Sequence, residues 1–175
     1  MRSIVCMNVS EPLALDLKAI ENQVTEYQFE LNDAFFASLE GAMVQQGDVR
    51  ARVQVRKLSS HFELHLAVEG YVQVACDRCL EPMRQPVENE SRLSVKFGEA
   101  YEEVNDELVV IPQVPGRLDL TWYLYELTVL AIPIRHVHEE GACNADMTAR
   151  LESLSAGRQA TDDPRWEALK NLRNN

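Results

Sequence analysis

The stretch HFELHLAVEGYVQVAC, residues 61–76, decides the fold. Phe62, Leu64, Leu66, Val68, Val72, Val74 and Cys76 take every second position apart from Gly70, with His61, Glu63, His65, Glu69, Tyr71 and Gln73 between them. Successive side chains of a strand point to opposite faces, so this pattern predicts a strand with one buried and one solvated side. Just upstream, VRARVQVRK (49–57) alternates Val49, Ala51, Val53 and Val55 against Arg50, Arg52, Gln54 and Arg56. KLSS supplies a turn between the two runs, which together read as an antiparallel hairpin. Gly70 marks a bend or bulge. Downstream, past CDRCLEPM (76–83), VENESRLSVKF alternates through Val87, Leu93, Val95 and Phe97 as a third strand returning beside the second. The Cys-x-x-Cys is then expected at a hairpin tip. ELVVIP (107–112) and TEYQFEL (25–31) are the fourth and fifth strand candidates.

A helix is expected in LDLTWYLYELTVLAIP, opened by Asp119 and ended by Pro133. Apolar residues nearly encircle it, which places it as a buried core helix. A second helix is expected from Asn144 through Met147, Leu151 and Leu154, and a third from Asp163 with Pro164 in its first turn. NDAFFASLE near the start is a further short candidate. The fold class that follows is α+β: a curled antiparallel sheet or open barrel, one buried core helix and two or three peripheral helices. Residues 1–154 form one domain in this reading, 155–163 (from SLSAGRQATDD) a flexible linker, and 164–175 a helical tail.

The chain has 175 residues and a formal charge of −11. A net negative field repels backbone phosphates at long range, so any nucleic-acid contact must be local. No apolar run reaches the roughly 18 residues of a membrane span, and the opening apolar stretch is broken by Asn8, Glu11 and Pro12. The expectation is a cytoplasmic protein with no membrane association. Its four cysteines then read as reduced thiols or metal ligands rather than disulfides.

Zinc favours four tetrahedral ligands, and Cys76 and Cys79 at Cys-x-x-Cys spacing supply half of such a site. The other Cys/His cluster is RHVHEEGAC, with His136, His138 and Cys143. His138 and Cys143 fall inside the usual window for a second pair, whereas His136 lies a step farther off. The candidate ligands of a structural zinc are therefore Cys76, Cys79, His138 and Cys143. Cys143 precedes the N-cap Asn144, where a helix's positive end is expected to lower its pKa. The halves lie about 60 residues apart, so an ion shared by them would close a long loop. Unligated thiols and a redox pair remain open as readings of the same residues, and Cys6 has no partner at a telling spacing.

Cross-strand pairing with Glu63 and Glu69 accounts for Arg50, Arg52, Arg56 and Lys57. Arg78 and Arg84, around the Cys-x-x-Cys turn, are the better candidates for touching RNA or a partner. His61 and His65 read as part of a solvated strand face. No Gly-rich phosphate loop, GxSxG or HExxH occurs, and the carboxylates form no recognisable catalytic pair. No small-molecule substrate is expected.

VACDRCLEPM, LDLTWYLYELTVLAIPIRHVHEEGAC and the terminal DPRWEALKNL together resemble the YceD family of large ribosomal RNA subunit accumulation proteins. The matching positions are Cys76, Arg78, Cys79 and Leu80, then Asp119 and Leu120, Pro133 and His138, and Cys143. Many relatives carry additional cysteines after the helix where this chain has histidines. The resemblance implies a non-catalytic factor in large-subunit biogenesis, promoting accumulation or processing of large-subunit ribosomal RNA. Its implied partners are a large-subunit ribosomal RNA precursor, a basic ribosomal protein, or both. Two alternatives stand beside this: a metal-dependent RNA hydrolase using His136, His138 and Glu139 or Glu140, and a redox-responsive adaptor.

Overall fold

The computed structural model describes residues 4–7, 13–21 and 23–156. In chain order its elements are β1 (Ile4–Met7), β2 (Ala14–Asp16), β3 (Val24–Leu31), α1 (Asp33–Ser38), β4 (Gly47–Lys57), β5 (Phe62–Ala75), β6 (Pro82–Gly98), β7 (Glu102–Asn105), β8 (Leu108–Pro112), β9 (Arg117–Asp119), α2 (Thr121–Leu130) and α3 (Ala145–Ala156). The linker beyond Ala156 and the helical tail lie outside the described residues. Two compact units emerge: Met1–Val74 with Pro82–His136, and Ala75–Glu81 with the chain from Val137 onward.

The first unit is built on a seven-stranded sheet in the order β1-β3-β4-β5-β6-β8-β7. The expected hairpin pairs Val53 with Leu66 and Val55 with Leu64, and β3 joins its other side with Tyr27 opposite Val53. Val49, Val53, Val55, Leu64, Leu66 and Val68 are buried together, as the alternation requires. The sheet is nevertheless mixed, not antiparallel throughout. β1 runs parallel to β3, and β8 runs parallel to β6 because β7 intervenes and carries the chain back along the outer edge. Nor, among the described residues, does it close into a barrel: β1 and β7 are its two edges. Against β4, Gly70 interrupts nothing, since that register runs unbroken from Gly47↔Val72 to Lys57↔Phe62. It marks a close approach, where an added Cβ would lie 2.2 Å from the Asp48 carbonyl oxygen.

Asn32 caps α1 by accepting the Phe35 N–H at 3.2 Å, and Phe35 and Phe36 are buried. α2 opens with Leu120 at its N-cap, while the Asp119 carboxylate accepts the Thr121 N–H at 2.8 Å. Leu124, Tyr125, Leu127 and Thr128 form its buried face, yet Trp122 is 51 % and Leu130 77 % exposed. The helix lies on the sheet with an apolar outer side, instead of being enclosed all round. The Tyr125 hydroxyl accepts the Met43 N–H at 2.7 Å, tying α2 to the segment that follows α1.

Across the polar sheet face Arg56 pairs with Glu63 at 3.9 Å and Arg52 with Glu26 at 3.5 Å. His61 lies 3.9 Å from Glu63, and His65 lies 3.4 Å from Glu90 on β6. No helix among the described residues is long and apolar enough to cross a membrane.

Candidate metal centre

The second unit brings the two halves of the cysteine constellation together. Residues 76–81 make a tight turn: the Cys76 N–H donates to the Glu81 carbonyl at 2.9 Å, and the Leu80 N–H to the Cys76 carbonyl at 2.9 Å. Closing it requires Leu80 at φ 62°, a left-handed conformation that costs a non-glycine residue roughly 1–2 kcal/mol. The backbone then wraps the first thiol, with the Arg78 N–H 3.4 Å from Cys76 Sγ.

The opposing segment turns through Gly141 at φ 84°, and the Ala142 N–H donates to the Glu139 carbonyl at 3.0 Å. Asn144 caps α3 by accepting the Met147 N–H at 3.1 Å. Its side-chain amide also donates to Glu81 Oε1 at 3.1 Å, fastening the two segments beside the sulfurs. Sequence reading identified Asn144 as a cap but not this clamp, because nothing in the spacing of residues 81 and 144 announces it.

One donor atom each from Cys76, Cys79, His138 and Cys143 lies within 4.8 Å of the others. Cys76 Sγ is 3.9 Å from Cys143 Sγ, and Cys79 Sγ is 3.3 Å from His138 Nδ1. Tetrahedral bonds of about 2.3 Å to sulfur and about 2.0 Å to nitrogen require S···S near 3.8 Å and S···N near 3.5 Å. The donor set therefore fits a tetrahedral ion. Cys76 and Cys79 are 0 % and 4 % exposed. His138 supplies the imidazole, while His136 has Nδ1 3.2 Å from the Pro133 carbonyl oxygen.

The ionisation of the cluster is uneven. Burial pushes the Cys76 thiol up, but hydrogen bonds from the backbone N–H groups of Cys79, His138 and Arg78 outweigh it and bring it down to about 6. Cys79 is also lowered, chiefly by the Asn144 N–H. His138 is raised by its hydrogen bonds to the Cys76 and Cys79 sulfurs, against the effect of burial. Cys143 runs opposite to the expectation from its place before a helix: burial and the two neighbouring sulfurs raise it. The cluster thus favours the thiolate at Cys76 and Cys79 and disfavours it at Cys143, where a bound dication would supply the missing positive charge and displace the proton.

Arg78 is exposed on the turn, as expected. Arg84, exposed on β6, lies with its guanidinium carbon 4.6 Å from the centre of the Tyr71 ring, a cation–π contact that fixes its direction.

No curated protein and no solved structure matched the chain. A family model described as the large ribosomal RNA subunit accumulation protein YceD matches residues 64–173. That span contains all four clustered donors and more than half of the chain, so the chain belongs to the YceD family.

Proposed function

We propose that the chain is a non-catalytic cytoplasmic factor in large ribosomal subunit biogenesis, promoting accumulation or processing of large-subunit ribosomal RNA by binding RNA, a ribosomal protein, or both. The family match carries the reading, since the family is named for large ribosomal RNA accumulation. Cys76, Cys79, His138 and Cys143 would hold a structural zinc. When bound, that ion supplies cross-linking rather than reactivity, because four protein ligands leave no position for an activated water. This weighs against the RNA hydrolase, which needs an open coordination position. Arg78 and Arg84 are the proposed RNA or partner contacts, both exposed and cationic.

The test is a pull-down from cell extract with the full chain, before and after nuclease treatment. Large-subunit ribosomal RNA or large-subunit ribosomal proteins are expected in the eluate, reduced by Arg78→Glu and Arg84→Glu. Recovery of neither sinks the proposal. So does cleavage of a ribosomal RNA fragment that disappears on replacing His136.

A further inference from the structure

A groove of about 830 Å³ opens in the first unit between the β7 edge and α2. One wall is the strand end, where Tyr101, Glu103 and Asn105 share a face; the other is α2, which contributes Trp122, Glu126 and Leu130. The Tyr101 hydroxyl donates to Glu103 Oε1, and the Tyr123 hydroxyl, 3.0 Å from that of Tyr101 and 3.3 Å from the same carboxylate oxygen, shares its proton between them, which fixes the Glu103 side chain on this wall.

Three properties of the groove point to one kind of occupant. Its exposed apolar surface is concentrated, with Tyr101 53 %, Trp122 51 % and Leu130 77 % exposed along its sides. Its charged lining residues, Glu103, Asp106, Asp119 and Glu126, are all acidic, and no lysine or arginine lines it. β7 is also a sheet edge, exposed at every residue, with no strand beyond it among the described residues. Such an edge is a template for an added extended chain. The carboxylates decide which chain: a second copy of this −11 protein or an RNA strand meets repulsion, while a cationic segment meets complementary charge and aromatic faces.

We propose that the groove between β7 and α2 is a docking site for an extended lysine- and arginine-rich polypeptide segment, whose apolar residues rest on Trp122 and Leu130. This deepens the protein-partner half of the function proposed above by assigning it a surface. It can be tested without ribosomal RNA or metal, so its failure would leave the ribosomal reading standing.

The probe is a fluorescein-labelled 12-residue peptide alternating lysine or arginine with valine or leucine, titrated with the full chain by fluorescence anisotropy. Saturable binding is expected, weakening at least tenfold between 50 and 200 mM salt as the charges are screened. Glu103→Gln with Glu126→Gln should weaken it at least fivefold, and so should Leu130→Ser, whose exposed side chain leaves the thermal melt unchanged. A matched pair on the far sheet face, Glu69→Gln with Glu88→Gln, should change it less than twofold. Equal loss from that control pair, equal binding of a glutamate-substituted peptide or a 12-nucleotide RNA, or no binding would each overturn the proposal. Tighter binding by Trp166→Ala would assign the groove to the chain's own C-terminal residues, and a dimer dissociated by Leu130→Ser would assign it to a second copy; both outcomes overturn it too.

Discussion

Comparing the chain with and without added zinc offers the most discriminating test of the cysteine and histidine cluster, because the effect should be confined to one part of the chain. Cys79 and His138, separated by 59 residues, meet at 3.3 Å. In a fully unfolded chain, tying the ends of a loop of that length removes entropy worth about 4 kcal/mol, which is the upper bound on what the link adds to the turn while the first unit stays folded. At about 1.4 kcal/mol per decade, releasing the link should lower hydrogen-exchange protection of the turn by up to about three orders of magnitude. The reporting amides are Cys76 and Leu80, which close the 76–81 turn. The β4–β5 ladder serves as the internal control, since its stability derives from the buried valines and leucines of the first unit. Zinc-loaded and chelator-treated full chain would be compared by native-state exchange with mass spectrometry, with Cys143→Ser behaving like the chelated protein. Equal protection of Cys76 and Leu80 in both forms would refute the cross-link. Loss spread evenly through β4 and β5 would refute its locality.

Three further outcomes follow from packing and ionisation. Gly70→Ala places a Cβ 2.2 Å from the Asp48 oxygen and 2.7 Å from Val49 Cα, both backbone atoms, and should lower unfolding free energy by about 3 kcal/mol in urea titration while metal content stays the same. Tyr125→Phe deprives the Met43 N–H of its acceptor and should cost about 1–2 kcal/mol, read as a lower midpoint with an unchanged slope. Burial raises Tyr123, and hydrogen bonding to Tyr101 adds to it; Tyr101 is raised by burial and by Glu103. Above pH about 10 the unfolded phenols ionise while these stay protonated, so the native state binds more protons and stability falls as pH rises. Tyr123→Phe should flatten the alkaline limb of thermal melts from pH 9 to 11.

What the sequence disclosed depended on whether a signal was local. The alternation in 49–57 and 61–76 required one face inside, and the resulting pairs, Val53 with Leu66 and Val55 with Leu64, are those the hairpin demands. β7 carries no such imprint because all four of its residues are exposed. Without β7 in the reckoning, β8 looked like another antiparallel neighbour, when in fact the interposed strand lets it return parallel to β6. α2 misled in the other direction: its apolar circumference suggested enclosure, but Trp122 and Leu130 look out over the groove. At the candidate metal centre the spacing of Cys76, Cys79, His138 and Cys143 was enough to anticipate the cluster. The raised pKa of Cys143 was not, because burial and, after it, the two neighbouring sulfurs act against the end of the helix, and both exist only after folding.

The distribution of charge also constrains how such a protein would meet the ribosomal RNA precursor proposed as its partner. A net charge of −11 opposes RNA at long range, so the proposed contact Arg78 would act only once the two are nearly touching, within a Debye length of about 10 Å at 0.1 M salt. Added salt weakens each local arginine–phosphate contact and at the same time screens the general repulsion. The two changes partly cancel, giving RNA association a shallower salt dependence than its number of phosphate contacts implies. A cationic peptide in the acidic groove has no such cancellation, since the net field and the local field attract it alike. The slopes of affinity against salt therefore distinguish the modes of recruitment: a shallow slope belongs to arginine-led RNA contact, and a steep one to a basic protein held against Glu103 and Glu126.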